Sequence, residues 1–253
     1  MLLALERIVA RICRDAVLSK SLIFKGGFAL FKLVGNERFT RDLDALGQGI
    51  SKEKVIELVP SALNEDLNDG VWFGDIKARS LDQSGEYGAL RFDCAFQIGE
   101  PPNEKTKLKK LSRLHFDIGF SDRISSEILP SQFDSLLPGE DPVSWRVYPL
   151  EFILAEKLQA LVDRGQANSR AKDIYDLTVL FDRGLERGGI ASAIEATFQN
   201  RKTDIPNSFF EAISAIETAQ LEMAWRSVKL EASEKNFEKV WKTLLGQLKR
   251  FDG

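Results

Sequence analysis

The sequence predicts an α+β protein, in which a mixed β-sheet flanked by helices precedes an α-helical domain. Segments with the character of β-strands are confined to the first half of the chain, whereas helical patterns dominate the second half. Between the two halves, prolines and a glycine interrupt residues 130–142, which we interpret as a linker. We therefore expect an α/β core over residues 1–135 and a helical domain over residues 136–253.

The first half alternates between helical and extended patterns. Apolar residues that share one helical face predict a helix over residues 3–18. An apolar run at 22–24, a glycine pair and an apolar stretch at 28–34 predict a strand, a turn and a helix. A strand is expected over 39–46 and a helix over 51–67. Three further strands are expected over 71–79, 87–98 and 112–120.

The second half reads as a series of helices. Pro149 is suited to the first turn of a helix, which should run to about Arg164. A second helix is expected from Ser169 to Arg183, with Gly184 as its C-terminal stop. A clean apolar stripe predicts a last helix over residues 237–248.

Composition excludes several classes of protein. Hydrophobic residues make up 43% of the chain and charged residues 29%, a balance typical of a folded globular protein. The formal net charge of −3 argues against a chain that is basic overall and binds nucleic acid with its whole surface. Two cysteines and one histidine exclude a disulfide framework, a cysteine zinc site and a histidine-rich metal site. Charges interrupt the apolar N-terminus and no segment is long enough to span a membrane, so we expect a cytoplasmic protein.

Asp42 and Asp44 are the first candidate site. Residues two apart on a strand point to the same face, so both carboxylates should face one cleft. Adjacent carboxylates repel each other unless a cation neutralises them, and Mg²⁺ prefers oxygen ligands. The pattern is common, however, and two solvated aspartates near a strand end remain the alternative.

Lys25, Gly26 and Gly27 form a second candidate, just before a predicted helix. Glycines let backbone N–H groups approach a phosphate closely, and a helix N-terminus favours negative charge. A tight turn without a ligand is the alternative. Asp117, on the polar face of an alternating strand near His115, could supply a third carboxylate or a general base. An exposed aspartate and a structural histidine are the alternatives there.

Lys157 lies on an otherwise apolar helix, and Asp173 and Asp176 share one face of the next helix. The lysine could neutralise the charge of a triphosphate, with the carboxylates positioning it. From these residues alone, a salt bridge between two helices is favoured. A basic cluster could bind RNA phosphates or form a solvated loop: Lys105, Lys107, Lys109, Lys110 and Arg113.

The order of these motifs resembles the AbiEii/AbiGii toxin family of nucleotidyltransferases, in the polymerase-β-like superfamily. The resemblance is carried by Phe-Lys-Gly-Gly-Phe-Ala-Leu at 24–30 and by Arg-Phe-Thr-Arg-Asp-Leu-Asp at 38–44. Ala-Glu-Lys-Leu-Gln-Ala-Leu at 155–161 and Arg-Ala-Lys-Asp-Ile-Tyr-Asp-Leu at 170–177 are similar to the family's C-terminal signature. The wider superfamily has Gly-Ser where this chain has Gly26-Gly27, a difference that also occurs within the family.

The resemblance implies a minimal nucleotidyltransferase core with a helical domain that completes the active site. It implies catalytic roles for Asp42, Asp44, Asp117, Lys157 and Asp173, with Mg²⁺ bound by Asp42, Asp44 and Asp117. It implies nucleotide binding by Lys25, Gly26, Gly27, Thr40 and Asp176.

Members of this family are toxins of toxin–antitoxin systems, often linked to phage defence. The resemblance therefore implies a cognate antitoxin and transfer of a nucleotide from an NTP to an acceptor, in some members the 3′ end of tRNA. A Mg²⁺-dependent nuclease and a non-catalytic module that binds nucleotide or antitoxin are the competing hypotheses. The glycine turn and Lys157 favour the transferase, because a nuclease has no triphosphate to hold.

Overall fold

The computed structural model describes residues 1–81, 88–102, 105–122, 124, 128–230 and 236–253, without the side chains of 105–107. The α-helices are α1 (Leu2–Arg14), α2 (Leu18–Ser21), α3 (Gly26–Val34), α4 (Lys52–Leu63), α5 (Leu150–Arg164), α6 (Ala171–Phe181), α7 (Arg187–Asn200), α8 (Phe209–Ser214), α9 (Ala219–Trp225) and α10 (Phe237–Asp252). The strands are β1 (Leu22–Lys25), β2 (Asp42–Gly47), β3 (Val71–Leu81), β4 (Ala89–Ile98), β5 (Ser112–Gly119), β6 (Pro130–Phe133) and β7 (Val143–Arg146). Lys105–Lys110 and Gly165–Ala167 form 3₁₀ helices. The predicted α+β class is confirmed.

The chain forms two compact units. The first comprises Met1–Ala29, Thr40–Asp122 and Ile128–Tyr148, and contains strands β1 to β7. The second includes Leu30–Phe39 and Pro149–Gly253, and contains α5 to α10. The division into domains at residue 135 stays a prediction.

The main sheet of the first unit has five strands in the order β1-β2-β5-β4-β3. β2 and β5 run parallel, whereas the other neighbours are antiparallel, so the sheet is mixed. The parallel register places Asp44 opposite Asp117, and the antiparallel register places Lys25 opposite Asp44. Three distant segments of sequence therefore meet at one point of the sheet.

The two faces of this sheet differ in polarity. Buried apolar side chains on one face alternate with polar side chains on the other, as the period of two requires. On the buried face, the ring of Phe116 contacts those of Phe24 and Phe92, with centroids 6.2 Å away in each case. The alternation predicted for residues 112–120 is confirmed, and it leaves the charged side chains together on the opposite face.

The prediction of a linker over residues 130–142 is wrong in part, because residues 130–133 form β6, which pairs with β7 just beyond this stretch, and only 134–142 connect the two strands. Trp145, on β7, packs its ring against those of Phe24, Phe28 and Phe133. The N–H of Tyr148 donates to the carbonyl of Phe24 at 2.9 Å. Aromatic packing thus attaches these short strands to β1, and such contacts between distant residues are not visible in local composition.

Three predicted boundaries also shift. The helix predicted over 3–18 ends at Arg14, because the Asp15 carboxylate accepts hydrogen bonds from the N–H groups of Val17 and Leu18 and starts a new turn. The strand predicted over 39–46 begins at Asp42, and the helix predicted over 51–67 ends at Leu63. Boundaries depend on such side-chain contacts more than on periodicity.

In the second unit, α5 packs on α7, and α6 packs on α10. The helices predicted from Pro149, from Ser169 and over 237–248 are present as α5, α6 and α10. A cluster around buried Trp225 includes Tyr175 of α6 and Phe237 of α10. In the described part of the chain, no helix combines the length and the apolar character needed to cross a membrane.

Candidate active site

Asp42 and Asp44 lie on the polar face of β2, while Leu43 and Ala45 between and beside them are buried. The two carboxylates therefore share one face, as the spacing of two residues predicts. The Asp42 side chain is 41% exposed, so its carboxylate is accessible to a ligand.

Gly26 places the start of α3 beside Asp44. Its backbone has φ +75°, a left-handed conformation that favours glycine, and a Cβ built at residue 26 would collide with the Asp44 carboxylate. The N–H groups at the start of a nine-residue helix favour an anion. A phosphate held there would lie next to a carboxylate, and the two negative groups would repel each other unless a cation lay between them.

Asp117 lies opposite Asp44 but is engaged by an arginine. Arg91, its register partner on β4, donates from Nε to Oδ1 at 2.7 Å and from Nη2 to Oδ2 at 2.5 Å. The hydrogen bond to Asp117 raises the pKa of Arg91; burial opposes this shift, and the charges of Asp117, Asp42 and Asp44 add to it. Arg91 is therefore a fixed cation within the carboxylate cluster.

His115 joins Asp42 to a row of ion pairs on the same face. Its Nδ1 lies 3.2 Å from an Asp42 oxygen, and its Nε2 lies 3.2 Å from Asp93. Arg113 in turn pairs with Asp93 and, at 2.8 Å, with Asp75 of β3. This row limits the rotation of the His115 ring and of Asp42, so the site is partly positioned by its own sheet.

Lys25 and Thr40 flank the carboxylates. The Lys25 ammonium lies 2.6 Å from Asp122 and 5.0 Å from the centre of the Tyr148 ring. The Thr40 hydroxyl donates to the carbonyl of Asp42 at 3.1 Å and so stabilises the start of β2. Their predicted role in nucleotide binding stays a prediction.

The donor set fits Mg²⁺ with two carboxylates. Mg²⁺ is commonly bound by one or two carboxylates, with substrate phosphates and water completing its octahedron. Asp42 and Asp44 on one strand face supply such a pair. Among the residues that the structure describes, no group of three or more His, Cys, Asp or Glu side chains could hold a metal ion.

Lys157, Asp173 and Asp176 lie in the second unit and form a buried ion-pair cluster. The Lys157 ammonium lies 2.7 Å from Asp173 and 2.7 Å from Asp176. Asp176 also accepts hydrogen bonds from Arg38, at 2.8 and 2.9 Å, and from Asn36 at 2.8 Å. This geometry is that of a salt bridge between two helices, extended to the segment that precedes β2.

The electrostatics of this cluster follow from burial and pairing. Burial favours the neutral acid, but the charges of Lys157 and Arg38 prevail and hold the pKa of Asp176 well below its usual range. Lys157, with Arg170, lowers the pKa of Asp173 in the same way. Burial acts against the ammonium of Lys157, yet the two carboxylates raise its pKa above the ordinary value. All three side chains are therefore charged at neutral pH.

The basic residues between Lys105 and Arg113 lie in two different elements of the structure. Lys105–Lys110 forms a 3₁₀ helix, in which Lys109 and Lys110 are exposed, while the side chains of Lys105 and Lys107 lie outside the described residues. Arg113 lies on β5 and is bound to carboxylates. Arg113 is thus a member of the sheet face, not of the lysine-rich loop.

Sequence reasoning missed Arg91 and Asp93. Both lie on the polar face of β4, two residues apart, between the buried Leu90, Phe92 and Cys94. The alternation over 87–98 was the available signal. The partners of these side chains became apparent only from the register of β4 against β5.

Fold and site together define a class of protein. Two structures from Helicobacter pylori are similar over nearly the whole chain. They are JHP933, at 16% identity with 98% of this chain and 89% of that chain covered, and a putative nucleotidyltransferase, at 17% identity with 98% and 92% covered. MenT4, a nucleotidyltransferase toxin from Mycobacterium tuberculosis, is similar at 17% identity, with 99% of this chain and 86% of that chain covered. Each superimposes with a TM-score of 0.59. The chain has the fold of the nucleotidyltransferase toxins.

The family follows from the sequence profile. The profile of the nucleotidyl transferase AbiEii toxin, of type IV toxin–antitoxin systems, matches residues 7–252. The chain belongs to this AbiEii family, which confirms the resemblance inferred from its motifs. The comparison with curated proteins gave no match.

Proposed function

We propose that the protein transfers a nucleoside monophosphate from an NTP to the 3′ end of an RNA acceptor, such as a tRNA, in a Mg²⁺-dependent reaction. One observation carries the proposal: the helix start at Gly26 lies against the Asp44 carboxylate. A phosphate-binding element next to a carboxylate pair suits a metal-bound triphosphate. Membership of a nucleotidyltransferase toxin family supports the same reaction class.

The residues of the first unit have distinct roles in this proposal. Bound at Asp42 and Asp44, Mg²⁺ would neutralise phosphate charge and favour ionisation of the attacking hydroxyl. His115 holds the Asp42 carboxylate, and the backbone of Gly26 and Gly27 binds phosphate oxygens. The chain otherwise acts by holding the acceptor hydroxyl and the α-phosphate in line, with pyrophosphate leaving.

Lys157 is proposed to favour binding of the triphosphate by its positive charge. Asp173 and Asp176 then keep that lysine protonated and fixed, which agrees with the pKa shifts of all three groups. Substitution Lys157→Gln tests this role if NTP affinity is measured at a pH where the protein stays folded. A lower affinity is expected, and unchanged affinity in a folded variant would limit Lys157 to a structural role.

Transfer is tested by incubating purified protein with total RNA, Mg²⁺ and each α-labelled NTP in turn. Label is expected in a discrete RNA band with one NTP, and the band identifies the acceptor. Asp44→Asn should abolish labelling, because it removes one metal-binding carboxylate. Asp141→Asn, at an exposed position between β6 and β7, is the matched control and should label as the wild type does.

The other outcomes separate the competing functions. Loss of RNA without NTP would favour a nuclease that uses the same carboxylates. Intact RNA without label would favour a protein or small-molecule acceptor, or a binding module. Growth arrest by the wild type, relieved by Asp44→Asn, would support a catalytic toxin, and relief by a neighbouring gene product would identify the antitoxin.

A further inference from the structure

Arg91 is bound to Asp117, the third carboxylate of the site. Its guanidinium makes two parallel hydrogen bonds to Asp117, at 2.7 and 2.5 Å, so both oxygens of that carboxylate have a partner. Paired arginine and carboxylate groups of this geometry are among the strongest charge-assisted hydrogen bonds. The two side chains are 26% and 19% exposed, so water screens the pair only in part.

The position of the pair is fixed by the sheet. Arg91 and Asp117 are register partners on β4 and β5, and Asp117 and Asp44 are register partners on β5 and β2. The guanidinium therefore lies on the same face as Asp42 and Asp44, whose charges also attract it. Movement of Arg91 away from Asp117 would leave three carboxylates close together.

The guanidinium leaves no open position for a second divalent ion at Asp117. Both oxygens of this carboxylate accept hydrogen bonds from Arg91, so a metal ion bound there would have to displace at least one of them. A second divalent ion at Asp117 would have to lie beside the guanidinium, where the two cations repel each other.

We propose that Arg91 takes the place of a second divalent cation, so that the site holds one Mg²⁺ at Asp42 and Asp44. Asp117 is then the anchor of Arg91 and not a metal ligand. This inference rests on the proposed function, because it concerns the same metal site. It makes Arg91 a residue of the active site that supplies fixed positive charge near the reacting phosphates.

The test counts the Mn²⁺ ions bound per chain, by EPR titration without nucleotide. The wild type should bind one equivalent, and Arg91→Gln should bind a second because Asp117 becomes available. The double variant Arg91→Gln, Asp117→Asn should return to one. Arg79→Gln is the matched control and should bind one equivalent, since it removes an exposed arginine of β3 that is the register partner of Arg91.

The outcomes distinguish the two proposals. Two equivalents in the wild type, or one in folded Arg91→Gln, would overturn the inference and leave the metal at Asp42 and Asp44 standing. No Mn²⁺ bound by the wild type would instead contradict the metal site of the proposed function. Arg91→Lys, which keeps the positive charge, should still bind one equivalent of Mn²⁺. If Arg91→Gln does not fold, the number of Mn²⁺ ions bound by the wild type tests the inference.

Discussion

The α-carbon of Gly26 lies so close to the Asp44 carboxylate that no Cβ fits between them. The strand register that pairs Lys25 with Asp44 brings the end of β1 and the start of α3 to this point. A phosphate-binding helix start and a metal-binding carboxylate are thus adjacent because of the sheet, although 18 positions separate them in the sequence. Position 26 requires glycine for two reasons, its positive φ and this contact.

Gly26→Ala should therefore lower both stability and transfer. A left-handed alanine costs about 1–2 kcal/mol, and the new methyl group must also displace Asp44. Misplacing a reacting group by about 1 Å lowers the rate on the order of 100-fold. We expect such a loss in the RNA-labelling assay, with a lower midpoint of thermal unfolding.

Gly35→Ala is the control for backbone strain. Gly35 also has a positive φ, +64°, but a Cβ there meets no atom within 4 Å. This variant should lose about 1–2 kcal/mol of stability and keep wild-type transfer. Equal loss of transfer in both variants would show that strain alone, and not contact with Asp44, limits position 26.

Asp176→Asn should destabilise the second unit strongly. The substitution leaves Lys157 and Arg38 buried with one carboxylate fewer, and breaking a buried ion pair typically costs about 3–5 kcal/mol. Urea unfolding measures the loss. Asp204→Asn, at an exposed position, should change the free energy of unfolding by less than about 0.5 kcal/mol.

The same cluster predicts how stability depends on pH. Asp173 and Asp176 have lowered pKa values in the folded chain, so the unfolded chain binds more protons in acid. Their contribution is complete above the unfolded carboxyl pKa of about 3.9 and is lost as the pH falls towards the folded values. Lys157 has a raised pKa and contributes fully below the unfolded value of about 10.4, so it does not oppose this trend.

Urea unfolding between pH 6 and pH 3 checks the sign of this dependence. The contribution of these carboxylates to the free energy of unfolding should stay nearly constant down to about pH 4 and fall below it, less steeply in Asp176→Asn than in the wild type. A parallel dependence in the two proteins would contradict the lowered pKa of Asp176.

Arg11→Met should destabilise the first unit. Arg11 is buried on α1 and donates to both oxygens of buried Asp69, at 2.6 and 3.0 Å, and to the carbonyl of Val71 at 2.8 Å. Removing it leaves Asp69 with fewer partners, a loss of about 3–5 kcal/mol by the same reasoning. Arg14→Met, whose side chain is 66% exposed and 3.9 Å from Glu65, should cost under about 1 kcal/mol in the same unfolding experiment.

Much of the fold and part of the site could be predicted from neighbouring residues alone. The spacing of Asp42 and Asp44 places them on one face of a strand, since side chains alternate along any strand. Helical spacing likewise indicated α5, α6 and α10. The motifs around residues 24–44 and 155–177 indicated the family, which the sequence profile confirms.

The sequence by itself determined the elements and the candidate carboxylates, because period and spacing are properties of neighbouring residues. Only the tertiary structure decided their partners. Strand register pairs Arg91 with Asp117 across 26 positions, and burial brings Arg38 to Asp176 across 138. Aromatic contacts attach β6 and β7 to β1, where local composition indicated a linker. These partners are far apart in the sequence and meet only through tertiary packing, so the spacing of neighbouring residues cannot predict them.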